Sequence, residues 1–143
     1  MGYITALIAS VLTLFYVQLS LHVIRLRKLH QVSVGTGGVE VLERAIRAHG
    51  NFAEYVPLSL VLMALLEING APSLLVAALG ACLVMGRYLH AKGMRDSDHG
   101  MPARVTGMRW TFFALALLAL SNLMWIGYLL IQSARFATSV SIH

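Results

Sequence analysis

Long apolar runs alternate with two short basic stretches along this chain of 143 residues. Ten of its eleven lysines and arginines lie in the stretches 25–47 and 87–109, and each stretch separates two apolar runs. Charged residues make up only 12% of the chain, against about 25% in a typical soluble domain. Since about 20 consecutive apolar residues cross a bilayer as a helix, the pattern predicts an all-α membrane protein.

Four transmembrane helices are predicted, at about residues 3–27, 39–68, 72–94 and 102–133. The first two breaks contain residues that end helices, the glycine-rich segment 35–38 and the Asn-Gly-Ala-Pro turn 69–72. We expect residues 1–143 to form a single domain. Because short connections make successive helices antiparallel neighbours, the expected arrangement is an up-down-up-down left-handed four-helix bundle.

The placement of basic residues predicts how the helices are oriented in the membrane. The first and third connections with their flanking helix ends carry ten lysines and arginines, whereas the C-terminal tail carries only Arg135. The N-terminus and the turn 69–72 carry none. We therefore expect both termini on the non-cytoplasmic side of an integral membrane protein. Basic residues that flank apolar runs favour an orientation signal over a nucleic-acid partner.

The second apolar run begins with a polar string at membrane depth. Glu43, Arg47, Asn51 and Glu54 are spaced by four, four and three residues, so they share one face of a helix. Burying such groups costs kilocalories unless they pair with one another or hold a ligand. Two interpretations stay open at this point. One is a structural ladder in which a glutamate neutralises Arg47, and the other is a polar ligand site.

The other three helices bring polar residues to the same level of the membrane. Arg87 and His90 lie near the end of the third helix, Arg104 and Arg109 begin the fourth, and the basic cluster 25–28 ends the first. Taken singly, Arg87 can extend to the lipid headgroups, and His90 can be a packed interior residue. Taken together, these groups predict a pocket for a small zwitterionic ligand with several negative charges.

The polar string resembles the hallmark of the MAPEG family, the membrane-associated proteins in eicosanoid and glutathione metabolism. Residues 43–54 match the family pattern E-R-x-x-R-A-x-x-N-x-x-E in full. Segments 25–28, 86–90 and 104–108 add supporting similarity in the other three helices. The short loops and the segment 34–38 look most like the small bacterial branch of the family, which suggests the bacterial inner membrane.

The resemblance implies a homotrimer that binds glutathione between neighbouring subunits near the cytoplasmic face. It implies that Arg47, Asn51 and Glu54 hold the tripeptide, and that Arg25 and His90 contribute. Arg25 and Arg47 would bind the two carboxylates of glutathione, and Glu54 would bind its ammonium group.

The resemblance also implies a catalytic role for Arg104, since an arginine early in the fourth helix stabilises the glutathione thiolate in catalytic members. A free thiol has a pKa of about 8.5, which an adjacent guanidinium lowers. The thiolate would attack a lipophilic small molecule that arrives from the bilayer, as in a transferase or peroxidase. Two departures bear on this activity, because Met94 and Met108 stand where eicosanoid-synthesising members carry tyrosine.

Two other functions remain as alternatives. In the first, the protein is not an enzyme and its polar ladder is a structural network that holds the trimer together. In the second, the polar face formed by Glu43, Arg47, Asn51 and Glu54 lines an ion path through the membrane. Glu67 is the main polar residue beyond Leu58 in the second helix, so such a path is blocked. The sequence has no Cys/His spacing typical of a metal site.

Overall fold

The computed structural model describes residues 2–96 and 99–140 of the chain. Its helices are α1 (Tyr3–His30), α2 (Glu40–Ile68), α3 (Ser73–Arg95) and α4 (Met101–Val140). All four are long and apolar enough to cross a membrane, and the described residues contain no strand. The prediction of an all-helical protein with four membrane-length helices is confirmed. The fourth helix continues past about residue 133, where the apolar run led us to end it.

The first connection is fastened to the end of α1 by an arginine. Helix α1 ends where the backbone of Gln31 enters the left-handed region, with φ of 56°. The guanidinium of Arg27 donates hydrogen bonds from Nη1 to the carbonyl oxygens of Ser33 at 3.2 Å and Gly35 at 3.0 Å. Gly35 has φ of 70°, a value that glycine adopts without steric cost. Arg27 therefore orders a segment that the glycine content alone makes flexible.

Contacts between α1 and α2 show that these helices run in opposite directions. The backbone N–H groups of Ile4 and Thr5, at the start of α1, donate to the carboxylate of Glu67 near the end of α2, at 3.0 and 2.8 Å. Further along α1, the ring of Tyr16 stacks on that of His49 near the start of α2, with 4.6 Å between centroids.

Helix α4 runs in the same direction as α2. The ring of Phe112 in the first half of α4 meets Tyr55 of α2 at 5.3 Å between centroids. Later in α4, Trp125 donates from Nε1 to the carbonyl oxygen of Asn69 at 2.8 Å. The main hydrophobic core joins all four helices and includes Leu12, Phe52, Met63, Leu83 and Leu118.

Glycines allow α3 and α4 to approach closely. A Cβ atom on Gly107 would lie 2.3 Å from the backbone nitrogen of His90, and one on Gly93 would lie 2.5 Å from that of Arg104. Cβ atoms are essentially never found this close to a non-bonded atom, so these positions accept no larger residue while the helices keep their spacing. Small residues have this role in many membrane helix pairs. The contact fixes the end of α3 against the start of α4.

Large apolar side chains remain exposed along the outer faces of the helices. Leu7, Leu14 and Leu21 are spaced by seven residues on α1 and are 65%, 68% and 56% exposed. On α4, Leu123 and Met124 are more than 70% exposed. A surface of this kind is covered by lipid or by another subunit.

The Glu67→Gln variant is expected to be less stable than the wild type. The two carboxylate oxygens of Glu67 accept separate backbone N–H groups of α1, and an amide offers only one acceptor oxygen for the pair. Loss of a helix cap costs about 1 kcal/mol, so the thermal midpoint in detergent should fall by several degrees. An unchanged midpoint would show that this cap contributes nothing to stability.

Candidate functional site

A cavity of about 750 Å³ opens between α2 and α4, with two residues of α3 in its wall. Ligand pockets in proteins have volumes of about 300–1,000 Å³. The cavity is lined by Glu40, Glu43, Arg44, Arg47, Asn51, His90, Met94, Met101, Arg104, Val105, Met108, Arg109 and Phe112. On α2 and on α4 these residues recur every three or four positions, so each helix contributes one face.

The two long walls of the cavity differ in chemistry. The α2 wall consists of charged and amide side chains. The α4 wall carries two arginines, Arg104 and Arg109, among the apolar side chains of Met101, Val105 and Phe112. Phe112 is 49% exposed, so the apolar wall continues onto the outer surface of the protein. The cavity can therefore hold a polar molecule on one side and receive an apolar one on the other.

The predicted ion-pair ladder along α2 does not form within this chain. In the described part of the chain, the ion pair present joins Arg44 to Glu40, and Arg47 pairs with no carboxylate. Asn51 donates from Nδ2 to the backbone oxygen of Arg47 at 3.2 Å, so it does not bridge the charged side chains either. The guanidinium of Arg47 is exposed and lines the cavity, where it is available to an anionic group.

Four of the six residues predicted to form the site line this cavity. They are Arg47, Asn51, His90 and Arg104. Because they come from three different helices, their convergence follows from helix packing and not from spacing along one helix.

The other two predicted site residues lie outside the lining of this cavity. Glu54 is exposed on α2, one turn beyond Asn51. Arg25 is exposed on α1 and lines a separate cavity together with His22 and Arg95. The chain therefore does not bring all six residues into a single pocket.

His90 is held in the cavity wall by the close contact between α3 and α4. Its side chain is 4% exposed, and its Nδ1 atom has no hydrogen-bond partner among the described residues. A buried nitrogen without a partner is costly, so a ligand that offered it a hydrogen bond would gain affinity. The backbone of His90 lies against Gly107 of α4. Because Gly107 follows Arg104 by one helical turn, this contact holds His90 near Arg104.

Met94 and Met108, where the resemblance implies tyrosine in eicosanoid-synthesising proteins, both line the cavity. Met94 is 4% exposed and Met108 is half-buried. Their thioethers are weak acceptors and cannot donate a hydrogen bond. Arginine side chains of α4 are therefore the strong donors of this wall, and Arg104 is the one that lies at the close contact with α3.

The sequence left open whether Arg87 extends to the lipid headgroups or joins a polar pocket with the neighbouring cations, and the structure buries its side chain. Arg87 is 1% exposed, its guanidinium carbon lies 5.9 Å from the centroid of the Phe52 ring, and its Nε and Nη1 atoms have no partner among the described residues. The sequence does contain a signal for this burial. Arg87 lies three residues before His90, so both side chains lie on one face of α3. Once His90 faces the protein interior, Arg87 must do so as well.

Comparisons with known proteins agree with the resemblance in the polar string. The MAPEG family model matches residues 5–124 of the chain. The chain is 38% identical over 132 residues to "Inner membrane protein YecN" of Escherichia coli strain K12, which covers 92% of this chain and 99% of that protein. The YecN protein of E. coli O6:H1 strain CFT073 matches with the same identity and coverage.

Proposed function

The chain belongs to the MAPEG family, and from this premise we propose that it binds glutathione and uses it in a transferase or peroxidase reaction on a lipophilic electrophile. It is an integral membrane protein. Because the YecN proteins are named as inner membrane proteins, we propose the same location here. The first and third connections would then face the cytoplasm, as the positive-inside rule predicts.

The observation that carries the proposal is the cavity in which Arg47, Asn51, His90 and Arg104 converge. Glutathione carries two carboxylates, an ammonium group and a thiol. Arginine binds carboxylates through paired, charge-assisted hydrogen bonds, and Arg47 is exposed to the cavity without an ionic partner in the described chain. Asn51 and His90 add neutral polar contacts, so the cavity offers groups complementary to the tripeptide.

Arg104 is proposed to stabilise the glutathione thiolate. A guanidinium next to a thiol favours the charged form and lowers the pKa of the thiol. In the transferase reaction the thiol proton passes to water, the sulfur attacks the electrophilic carbon, a C–S bond forms and the leaving group departs with its electron pair. The apolar wall of Val105, Met108 and Phe112 would admit the lipophilic co-substrate from the bilayer.

A homotrimer of left-handed four-helix bundles is proposed to complete the site. Arg25 and Glu54 are exposed and outside the cavity lining of their own chain, as expected for residues that act across a subunit boundary. Arg25 of one subunit would bind the second carboxylate of a glutathione held by its neighbour, and Glu54 would bind the ammonium group.

The Arg47→Ala variant is expected to bind glutathione about tenfold more weakly, a loss of about 1.4 kcal/mol. The variant removes a carboxylate-binding group without disturbing packing, because Arg47 is exposed. Isothermal titration calorimetry in detergent measures the change. Arg135→Ala is the matched control, since Arg135 is exposed near the far end of α4. Equal affinities for wild type and Arg47→Ala would exclude the site.

The competing function is a non-catalytic membrane protein whose polar residues only hold the trimer together. The exposed positions of Arg25 and Glu54 are compatible with it. This alternative predicts that glutathione produces no heat of binding, and that substitution of Glu54 dissociates the trimer whether or not glutathione is present.

A further inference from the structure

A second group of cavities lies along the groove between α1 and α3, apart from the cavity between α2 and α4. One, of about 390 Å³, is lined by Gln18, Leu21, His22, Arg25 and Arg95. Another, of about 380 Å³, is lined by Phe15, Tyr88, Ala91, Lys92, Arg95 and Asp96. Arg95 belongs to both linings, so the two cavities flank a single guanidinium at the end of α3.

The groove carries an excess of positive charge. Lys92 and Arg95 are exposed in the last turn of α3, and Arg25 is exposed opposite them on α1. His22 lines the same cavity as Arg25 and Arg95 and is half-buried. Asp96 is the acidic residue in the lining, and one of its carboxylate oxygens accepts the backbone N–H of His99 at 3.0 Å. Among the described residues that line the two cavities, three lysine and arginine side chains therefore accompany one carboxylate, which leaves a net positive charge suited to an anion.

Apolar side chains extend from the same groove towards the middle of the membrane. Leu21 is 56% exposed and Tyr88 is 54% exposed, and Leu14 continues the exposed face of α1. Phe15 of α1 lines the same cavity as Tyr88 of α3. A molecule with an anionic headgroup at Arg95 and hydrocarbon chains on this surface would bind both the basic part and the apolar part of the groove. Basic pockets between transmembrane helices on the cytoplasmic side bind the headgroups of anionic lipids in this way.

We propose that the groove between α1 and α3 is a binding site for an anionic phospholipid, with its phosphate held by Arg95 and Lys92 and its acyl chains packed along Leu21 and Tyr88. The site lies at the end of α3 that precedes the third connection, a connection that the distribution of basic residues predicts to be cytoplasmic. The phosphate contacts do not depend on glutathione binding, because neither Lys92 nor Arg95 lines the large cavity. Arg25, which is proposed above to bind the glutathione of a neighbouring subunit, is assigned no contact with the lipid.

The test is a native mass-spectrometry titration of the purified protein with phosphatidylglycerol and with phosphatidylcholine of the same acyl chains. Phosphatidylglycerol is expected to remain bound at concentrations where phosphatidylcholine is lost. The Arg95→Gln variant should need about fivefold more phosphatidylglycerol for equal occupancy, the effect expected of one basic side chain at an anionic lipid. Lys28→Gln is the matched control, because Lys28 is exposed on the neighbouring end of α1 and lines neither cavity.

Three results would overturn the proposal. Equal retention of the two lipids would show that the groove does not recognise a negative headgroup. Equal occupancy in wild type and Arg95→Gln would place any lipid elsewhere on the protein. Millimolar inorganic phosphate could also remove the difference in phosphatidylglycerol occupancy between wild type and Arg95→Gln. That result would identify the groove as a site for free phosphate and not for lipid. A thermal midpoint of Arg95→Gln equal to that of wild type in phosphatidylcholine verifies that the variant is folded.

Discussion

The Arg104→Ala variant is expected to conjugate glutathione to 1-chloro-2,4-dinitrobenzene about a hundredfold more slowly than the wild type, measured as kcat/KM. Removing one group that stabilises a developing or reacting anion typically costs a factor of about 10²–10³. Arg104 lies in the cavity wall at the close contact between α3 and α4. The methionines at positions 94 and 108 provide no hydroxyl that could replace it.

The pH dependence of this reaction separates a role in thiolate formation from a general loss of structure. With Arg104 present, the bound thiol should have a pKa below the usual value of about 8.5, so the wild-type rate should level off near neutral pH. Without it, the rate should keep rising with pH until the thiol titrates near its ordinary value. Arg135→Ala is the control on the same helix. Equal, background-level rates for wild type and Arg104→Ala would rule out the transferase reaction.

The Gly107→Ala variant is expected to lower the thermal midpoint by about 10 °C and to reduce the yield of folded protein. The added methyl group would lie 2.3 Å from the backbone nitrogen of His90 and 2.7 Å from the carbonyl oxygen of Gly86. Backbone atoms cannot move aside as a flexible side chain can, so α4 must shift away from α3. Overpacking of this kind costs about 1–3 kcal/mol or more, and each kilocalorie lowers the midpoint by several degrees.

The matched control for this variant is Gly127→Ala. Apart from the adjoining backbone of its own helix, no atom of the described residues lies within 4 Å of a Cβ at position 127 of α4. This substitution should therefore leave the midpoint unchanged or raise it slightly, because alanine favours helix. Since the shift of α4 would also separate Arg104 from His90, Gly107→Ala should weaken glutathione binding in the protein that does fold. A Gly107→Ala variant as stable as Gly127→Ala would contradict the close contact between α3 and α4.

The number of helices could be predicted from the sequence because apolar runs and their breaks are local properties. Helix α2 ends at the turn 69–72 through a glycine conformation that requires no tertiary information, whereas α1 ends at Gln31, shortly before the glycine-rich segment 35–38. Gly70 in the turn 69–72 has φ of 83°. The end of α4 was harder to predict, because the polar residues near position 133 do not by themselves stop a helix.

Part of the candidate site could also be predicted, since Arg47 and Asn51 share a face of α2 by spacing alone. On α4, Arg104 was assigned to the site through the family resemblance, and it lines the cavity. The apolar wall of this helix was not predicted, because α4 is apolar on nearly all sides and its hydropathy does not define an inner face. Arg109 was grouped with the cations expected at this pocket but was given no role of its own, and it also lines the cavity. The burial of Arg87 could not be decided from the sequence for a related reason. An arginine near a helix end is compatible with either lipid headgroups or the protein interior until the helix rotation is known.

Native mass spectrometry of the detergent-solubilised protein, with and without glutathione, tests the central claim most directly. The proposed function predicts a trimer that takes up one glutathione for each chain, and an Arg47→Ala variant that needs about tenfold more glutathione for the same occupancy. A protein that stays ligand-free at millimolar glutathione, or that binds it equally well without Arg47, would contradict the assignment of this cavity.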